Sequence, residues 1–154
     1  MGEALKRRIK QAKFDSPVQE AMLNLMVASD FVREQIDRVC AVHKLTRGQY
    51  NVLRILKGVH PEGHPRCEIS GRMLERAPDV TRLVDRLEKQ GLVERDRSER
   101  DRRHSITRIT RRGLALIEEL NAEVGELFQL FGVKLSRRDA RELSRICEGI
   151  YEER

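Results

Sequence analysis

Tryptophan is absent from this 154-residue chain, and four Phe and two Tyr hold the aromatic share to 4%. With 39% apolar residues and a mean hydropathy of −0.59, that supply is lean for a self-sufficient globule. It suits a helix-rich protein that completes its core by oligomerising. The length allows one domain with a real interior and is too short for two ordinary ones. Cysteine is scarce and odd in number. Cys40, Cys67 and Cys147, irregularly spaced, argue against a disulfide framework and for a reducing compartment, the cytoplasm. The leading residues MGEALKRRIKQAKFDS carry charge but no apolar h-region, so they do not read as a secretory signal. The most apolar run, Ala21 to Ser29, is too short and too interrupted to span a bilayer. A nucleophile–base pair, a metal cluster and a glycine-rich phosphate loop are also missing, which sets enzymatic chemistry aside.

Charge is plentiful. Lys and Arg number 31 against 25 Asp and Glu, for a net charge of +6 and a pI near 9.6. That balance suits an acidic partner, either nucleic acid or an anionic surface. The excess is concentrated between Arg95 and Arg112, where eight basic residues meet three acidic ones.

Along the chain, Glu3 to Lys13 shows a weak helical period and reads as a solvated leader or an arm on nucleic acid. Ser16 with Gln19 has capping-box spacing, and Pro17 suits the first helical position. Apolar residues then recur from Val18 to Cys40 near the 3.6 period, roughly 40 Å of helix. Such a helix more readily lies against a partner subunit than inside its own small domain. Thr46 with Gln49 repeats the capping spacing and opens a helix that buries Tyr50, Val52, Leu53 and Leu56, stopping near Gly58. The segment VHPEGHPR is turn chemistry.

A two-helix unit follows. Cys67 to Arg76 is expected to be helical with Ile69, Met73 and Leu74 inward. Pro78 to Gln90 is expected to form a second helix, burying Val80, Leu83, Val84 and Leu87 and ending at Gly91. The pair matches a helix-turn-helix. Leu92 to Arg97 and His104 to Thr110 then read as the strands of a hairpin, with imperfect alternation because Ile106 and Ile109 are out of phase. Thr110 caps a long helix to about Phe131, and Ser136 with Asp139 opens a last one through Leu143, Ile146 and Ile150. The expected fold class is mainly α with a small β-hairpin, a winged helix-turn-helix flanked by N- and C-terminal dimerisation helices. Within one domain over 1–154, the flanking helices occupy 1–45 and 111–154 and the winged part 46–110.

The segments LTRGQYNVLRIL and VTRLVDRLEKQGLVERDRSERDRRHSITRITRRGLALIEEL resemble the MarR (multiple antibiotic resistance regulator) family of bacterial transcription factors. TRLVDRLE, GLVER, DRR and IT-x-x-G stand in the family's order and spacing, over about Leu45 to Leu120. The resemblance implies a homodimer whose first and last helices intertwine, with a recognition helix for the major groove and a wing for the minor groove. It implies a ligand-responsive regulator, commonly a repressor, on a pseudo-palindromic operator. It also implies a small phenolic or lipophilic effector held between dimer helices and DNA-binding part, and no cofactor. The chain departs from the family where many relatives start the recognition helix with Ser or Thr; here stand Ala77, Pro78 and Asp79.

Arginine bidentate to guanine is the commonest specific base contact, and Arg82, near the start of the helix, is the first candidate for it. Thr81 suits a thymine methyl or a phosphate, and Arg86 a base or a phosphate. Asp79 either accepts from a cytosine amine or complements the positive helix N-terminus, the second being the simpler role. Pro78 opens the helix. In the wing, the resemblance maps a minor-groove arginine onto Arg103, held by Asp101. Arg97, Arg100 and Arg102 would then neutralise phosphates. Two-fold symmetry spaces half-sites by one helical turn, roughly 10 bp.

Other chemistry is thinner. Cys40 and His43 are spaced as two helical metal ligands, but the chain offers no convergent set, and His60 and His64 lack a carboxylate pair. The three cysteines read as small structural residues, and Met22 to Met26, where peroxide-sensing relatives carry a reactive cysteine, has none. Two alternatives stay open: a winged-helix protein-interaction module without specific DNA binding, and a redox-responsive regulator using one of its cysteines.

Overall fold

The computed structural model describes residues 2–75, 79–96 and 105–152. No helix among them is long and apolar enough to cross a membrane. The chain divides into two compact units, Met1–Arg47 and Gly48–Arg154.

The first unit holds α1 (Glu3–Ile9) and α2 (Pro17–Val42). The segment expected to be a leader or an arm is thus a short helix, with Leu5 buried. Ser16 caps α2 by accepting from the Gln19 backbone N–H at 3.1 Å, with Pro17 at the first turn. The Gln19 side chain reaches back one residue further than a capping box requires, accepting from the Asp15 N–H at 2.7 Å. With 26 residues, α2 is about 39 Å long. Its stop is made just beyond Val42 by Lys44, whose φ of +58° is the left-handed conformation of a helix stop. The Lys44 and Leu45 N–H groups close on the carbonyls of Ala41 and Cys40, and Cys40 and Leu45 are both buried. That is the hydrophobic closure that accompanies such a stop. Along the rest of α2, Val18, Met26, Phe31 and Val42 stay exposed.

The second unit is built around α3 (Arg47–Lys57, whose first residue closes the first unit), α4 (Arg66–Gly71) and α5 (Val80–Lys89). Tyr50, Val52, Leu53 and Leu56 of α3 are buried as their spacing requires. The Tyr50 hydroxyl donates to Asn121 at 2.9 Å. Leu83 of α5 lies against Gly48, where an added Cβ would stand 3.2 Å from its Cδ1. Helix α4 stops at Gly71 and not at Arg76, since glycine is a poor helix former. The chain beyond turns Leu74 outward at 80% exposure, contrary to expectation. The Leu74 N–H is tied to Asn51 Oδ1 at 2.8 Å.

Three strands make one antiparallel sheet in the order β1 (His64–Pro65), β3 (Ile106–Ile109), β2 (Val93–Arg95). Strand β1 lies in the segment expected to be turn throughout. It is too short for periodicity to betray it, and it exists because His64 pairs with Thr107. Gly63 makes the approach at φ +78°, where a Cβ would sit 2.3 Å from the Thr107 carbonyl oxygen. The out-of-phase isoleucines are explained as well. The buried phase of β3 is Thr107 and Ile109, and Ile106 lies on the other face.

The join from α5 through the hairpin to α6 (Arg111–Gly132) is closed by backbone. Gly91 (φ +70°) donates to Glu88 and Leu92 to Leu87, both at 2.9 Å, a Schellman stop with Leu87 and Leu92 buried together. The Thr110 hydroxyl donates to the Gly91 carbonyl at 2.8 Å and accepts from the Gly113 N–H at 3.1 Å, while the Thr110 N–H donates to Leu92. A Cβ on Gly113 would stand 2.2 Å from the Leu92 carbonyl oxygen.

Ile117, Leu120 and Val124 bury the first half of α6, but Phe128 and Leu130 near its end are exposed. Helix α7 (Arg137–Tyr151) opens with the expected Ser136–Asp139 capping box and buries none of its residues, leaving Leu143, Ile146 and Ile150 almost half exposed.

Because the Gly113 contact is with backbone, Gly113→Ala is expected to cost about 2 kcal/mol or more. At fixed protein concentration that lowers the thermal midpoint by roughly 4–8 °C. An unchanged midpoint would refute the close approach.

Candidate nucleic-acid interface

Helix α5 has two faces. Val80, Val84 and Leu87 are buried at i, i+4 and i+7, while Arg82, Arg86 and Lys89 are exposed. Its N-cap is Asp79, whose Oδ1 accepts from the Arg82 backbone N–H at 3.1 Å. The other carboxylate oxygen, Oδ2, holds Arg82 Nε at 2.9 Å. Asp79 therefore caps the helix and orients the first candidate arginine, whose side chain stays 79% exposed. Arg86 and Lys89 meet no carboxylate within 4 Å among the described residues.

Thr81 is engaged as well. Arg66, the first residue of α4, donates from Nη1 to Thr81 Oγ1 at 3.1 Å. The sequence reading missed Arg66. It stands outside the α5 pattern, and only the folding of α4 against α5 brings it to the same surface.

Other basic residues near the hairpin are occupied. Arg95 of β2 pairs with Asp85 and, at 3.8 Å, with Glu88, both on α5. Its side chain is largely covered, so it braces helix to strand. Arg108 of β3 pairs with Asp96 at 3.2 Å. Asp96 also donates its backbone N–H to Ile106 and accepts at its carbonyl from the Ser105 hydroxyl, which ties the base of the hairpin. Of the candidate contacts, Asp79, Thr81, Arg82 and Arg86 are brought together at the exposed side of α5. Pro78 and the wing candidates Arg97, Arg100, Asp101, Arg102 and Arg103 lie outside the described residues. Among the cysteines, Cys40 is buried as expected of a small core residue, whereas Cys67 is exposed and Cys147 only partly covered.

A model of the MarR family matches residues 45–105. The crystal structure of a MarR transcription factor from Planctomyces limnophilus is 37% identical, covers 88% of this chain and 98% of its own, and superposes with a TM-score of 0.69. The chain belongs to the MarR family. An HTH-type transcriptional repressor of Pseudomonas putida, IacR, is 32% identical over 84 residues. That match takes in 54% of this MarR-family chain and only half of the repressor's length. A Staphylococcus aureus MepR–DNA complex shares the fold at 20% identity and a TM-score of 0.72, over 84% of this chain and 94% of that one. The motif residues acquire physical roles here. GLVER and IT-x-x-G contain the residues of the backbone closure (Gly91, Leu92, Thr110, Gly113) and the brace (Arg95), while TRLVDRLE carries the exposed arginines and the two acids that meet Arg95.

Asp79→Ala removes the N-cap acceptor and is expected to cost about 1 kcal/mol of stability. Asp79→Asn, whose amide oxygen also caps, should cost a few tenths of that. Equal losses in denaturant unfolding would show that Asp79 contributes through charge and not through the cap.

Proposed function

We propose that this protein is a transcriptional regulator, a ligand-responsive repressor, which binds a pseudo-palindromic double-stranded operator as a homodimer. The observation that carries the reading is the exposed row Arg82, Arg86 and Lys89 on a helix whose opposite face is buried. In a helix-turn-helix the N-terminal residues of that second helix meet the base edges in the major groove. Arg82 reads guanine, Arg86 takes a base or a phosphate, and the wing residues Arg97, Arg100, Arg102 and Arg103, with Asp101 holding Arg103, reach the flanking backbone and minor groove. Residues 46–110 form the DNA-binding part.

Energies favour the release of Arg82 to DNA. An exposed ion pair such as Arg82–Asp79 contributes about 0.2–1 kcal/mol, whereas a bidentate arginine–guanine contact is worth about 1–3 kcal/mol. Asp79 can retain its cap while the outer guanidinium nitrogens turn to the base.

The second copy is supported by the apolar side chains left open on α2, at the end of α6 and along α7. Burying such area drives association, and the segments 1–45 and 111–154 are the natural dimerisation helices. A small phenolic or lipophilic effector that alters the packing of these helices would alter the spacing of the two reading helices. The protein acts by binding and not by catalysis, in the bacterial cytoplasm.

Selection of duplexes from a random DNA pool tests the reading, with a symmetric motif of half-sites roughly 10 bp apart as the expected result. Failure to retain any duplex at low salt would overturn it. Arg82→Ala is expected to reduce discrimination between selected and scrambled duplexes by about 1–3 kcal/mol per half-site; equal affinities for wild type and variant on both duplexes would remove Arg82 from the reading role. Arg103→Ala should weaken binding and flatten its salt dependence, and an unaltered slope would count against the wing contact.

A further inference from the structure

We propose that Arg66 and Thr81 form a composite phosphate-binding pair, in which Arg66 supplies the charge and commits the Thr81 hydroxyl to donate. The inference rests on the DNA-binding reading above and adds a contact from the first helix of the helix-turn-helix. Arg66 is exposed, and its one hydrogen bond among the described residues goes to Thr81 Oγ1 at 3.1 Å. No carboxylate lies within 4 Å of it among those residues, whereas Arg72, Arg82, Arg95 and Arg108 each meet one. Among the described residues the charge at Arg66 therefore meets no carboxylate, at a position held by a specific polar contact.

The donor count identifies the ligand's chemistry. A guanidinium carries five N–H donors and no acceptor, and Thr81 occupies one of them. A hydroxyl has one hydrogen and two lone pairs. With Arg66 on a lone pair, the hydroxyl hydrogen is free to turn to an outside acceptor. The remaining guanidinium N–H groups and the hydroxyl hydrogen thus outnumber the one hydroxyl lone pair left over, so the pair offers mainly donors to solvent, beside a positive charge. An anionic oxygen with several lone pairs satisfies that arrangement, and the backbone phosphate supplies one. Position agrees, because the first helix of the motif crosses the DNA backbone while the second enters the groove. Of the two roles open to Thr81 from sequence, the phosphate is therefore selected over the thymine methyl.

The test is a salt titration of full-length protein with a 30-bp duplex selected on the wild type, alongside a scrambled duplex. Arg66→Ala should reduce the slope of log K against log salt by about 0.9 per protomer, about 1.8 for the dimer, with the ratio of the two affinities unchanged. Thr81→Val should weaken binding in the wild-type background and have little further effect in Arg66→Ala, because the pair acts as one unit. An unchanged slope for Arg66→Ala overturns the charge contact, and strictly additive effects overturn the pairing. A collapsed affinity ratio makes Arg66 a base reader and overturns the phosphate assignment. A wild type that binds neither duplex overturns the parent reading along with this one. Circular dichroism checks each variant's fold, and Arg66→Gln replaces Arg66→Ala if the latter loses helicity.

Discussion

The carbonyl of Leu92 is the point on which the second unit depends. It accepts from the Thr110 N–H, and it lies so near Gly113 that only a residue without a Cβ fits. One residue earlier, the Gly91 carbonyl accepts from the Thr110 hydroxyl, which also caps α6. The end of α5, the start of β2, the end of β3 and the start of α6 therefore meet in a few bonds. The two helix ends among them would otherwise carry unsatisfied backbone groups. Arg95 extends the closure sideways by bracing β2 against the acids of α5. The exposed face of α5 is consequently aimed by backbone geometry, which leaves its side chains free for function.

Pairing, more than net charge, decides which basic residues serve a ligand. The chain's +6 is spread over many arginines, yet Arg95 and Arg108 are taken up in holding strands and helix together. Arg82 is lightly held by Asp79, with its side chain 79% exposed, so its guanidinium is oriented at little cost to its release. Arg66 is held by a neutral hydroxyl and meets no carboxylate among the described residues. Three settings of one residue type thus produce a brace in Arg95, the reader proposed for Arg82 and the anion contact proposed for Arg66.

The apolar inventory points in a complementary direction. Cores form where α3, α5, the sheet and the first half of α6 contribute Leu53, Leu56, Leu87, Val93, Ile109 and Ile117, all buried. Beyond Val124 the burial stops although the apolar spacing continues, and α7 has no buried residue at all. Helices with unburied apolar faces are stabilised by tertiary or quaternary packing more than by propensity. The second copy proposed above would supply that packing and at the same time duplicate α5.

Much of this was legible in the chain alone. Period and capping residues located α2, α3, α5, α6 and α7, because a 3.6-residue pattern and a Ser or Thr cap are local properties. Ser16, Thr110 and Ser136 cap as their spacing requires, and the exposed Arg82 and Arg86 follow from the α5 period. What tertiary structure alone decided is non-local. Strand β1 exists only through its pairing with Thr107, and Thr107, not Ile106, shares the buried phase with Ile109. Leu74 turns outward because α4 ends early at Gly71. Arg66 reaches Thr81 across fifteen residues of sequence. A chain specifies its local hydrogen bonds and apolar rhythm directly, whereas which charged groups neutralise one another depends on distances that exist only after folding.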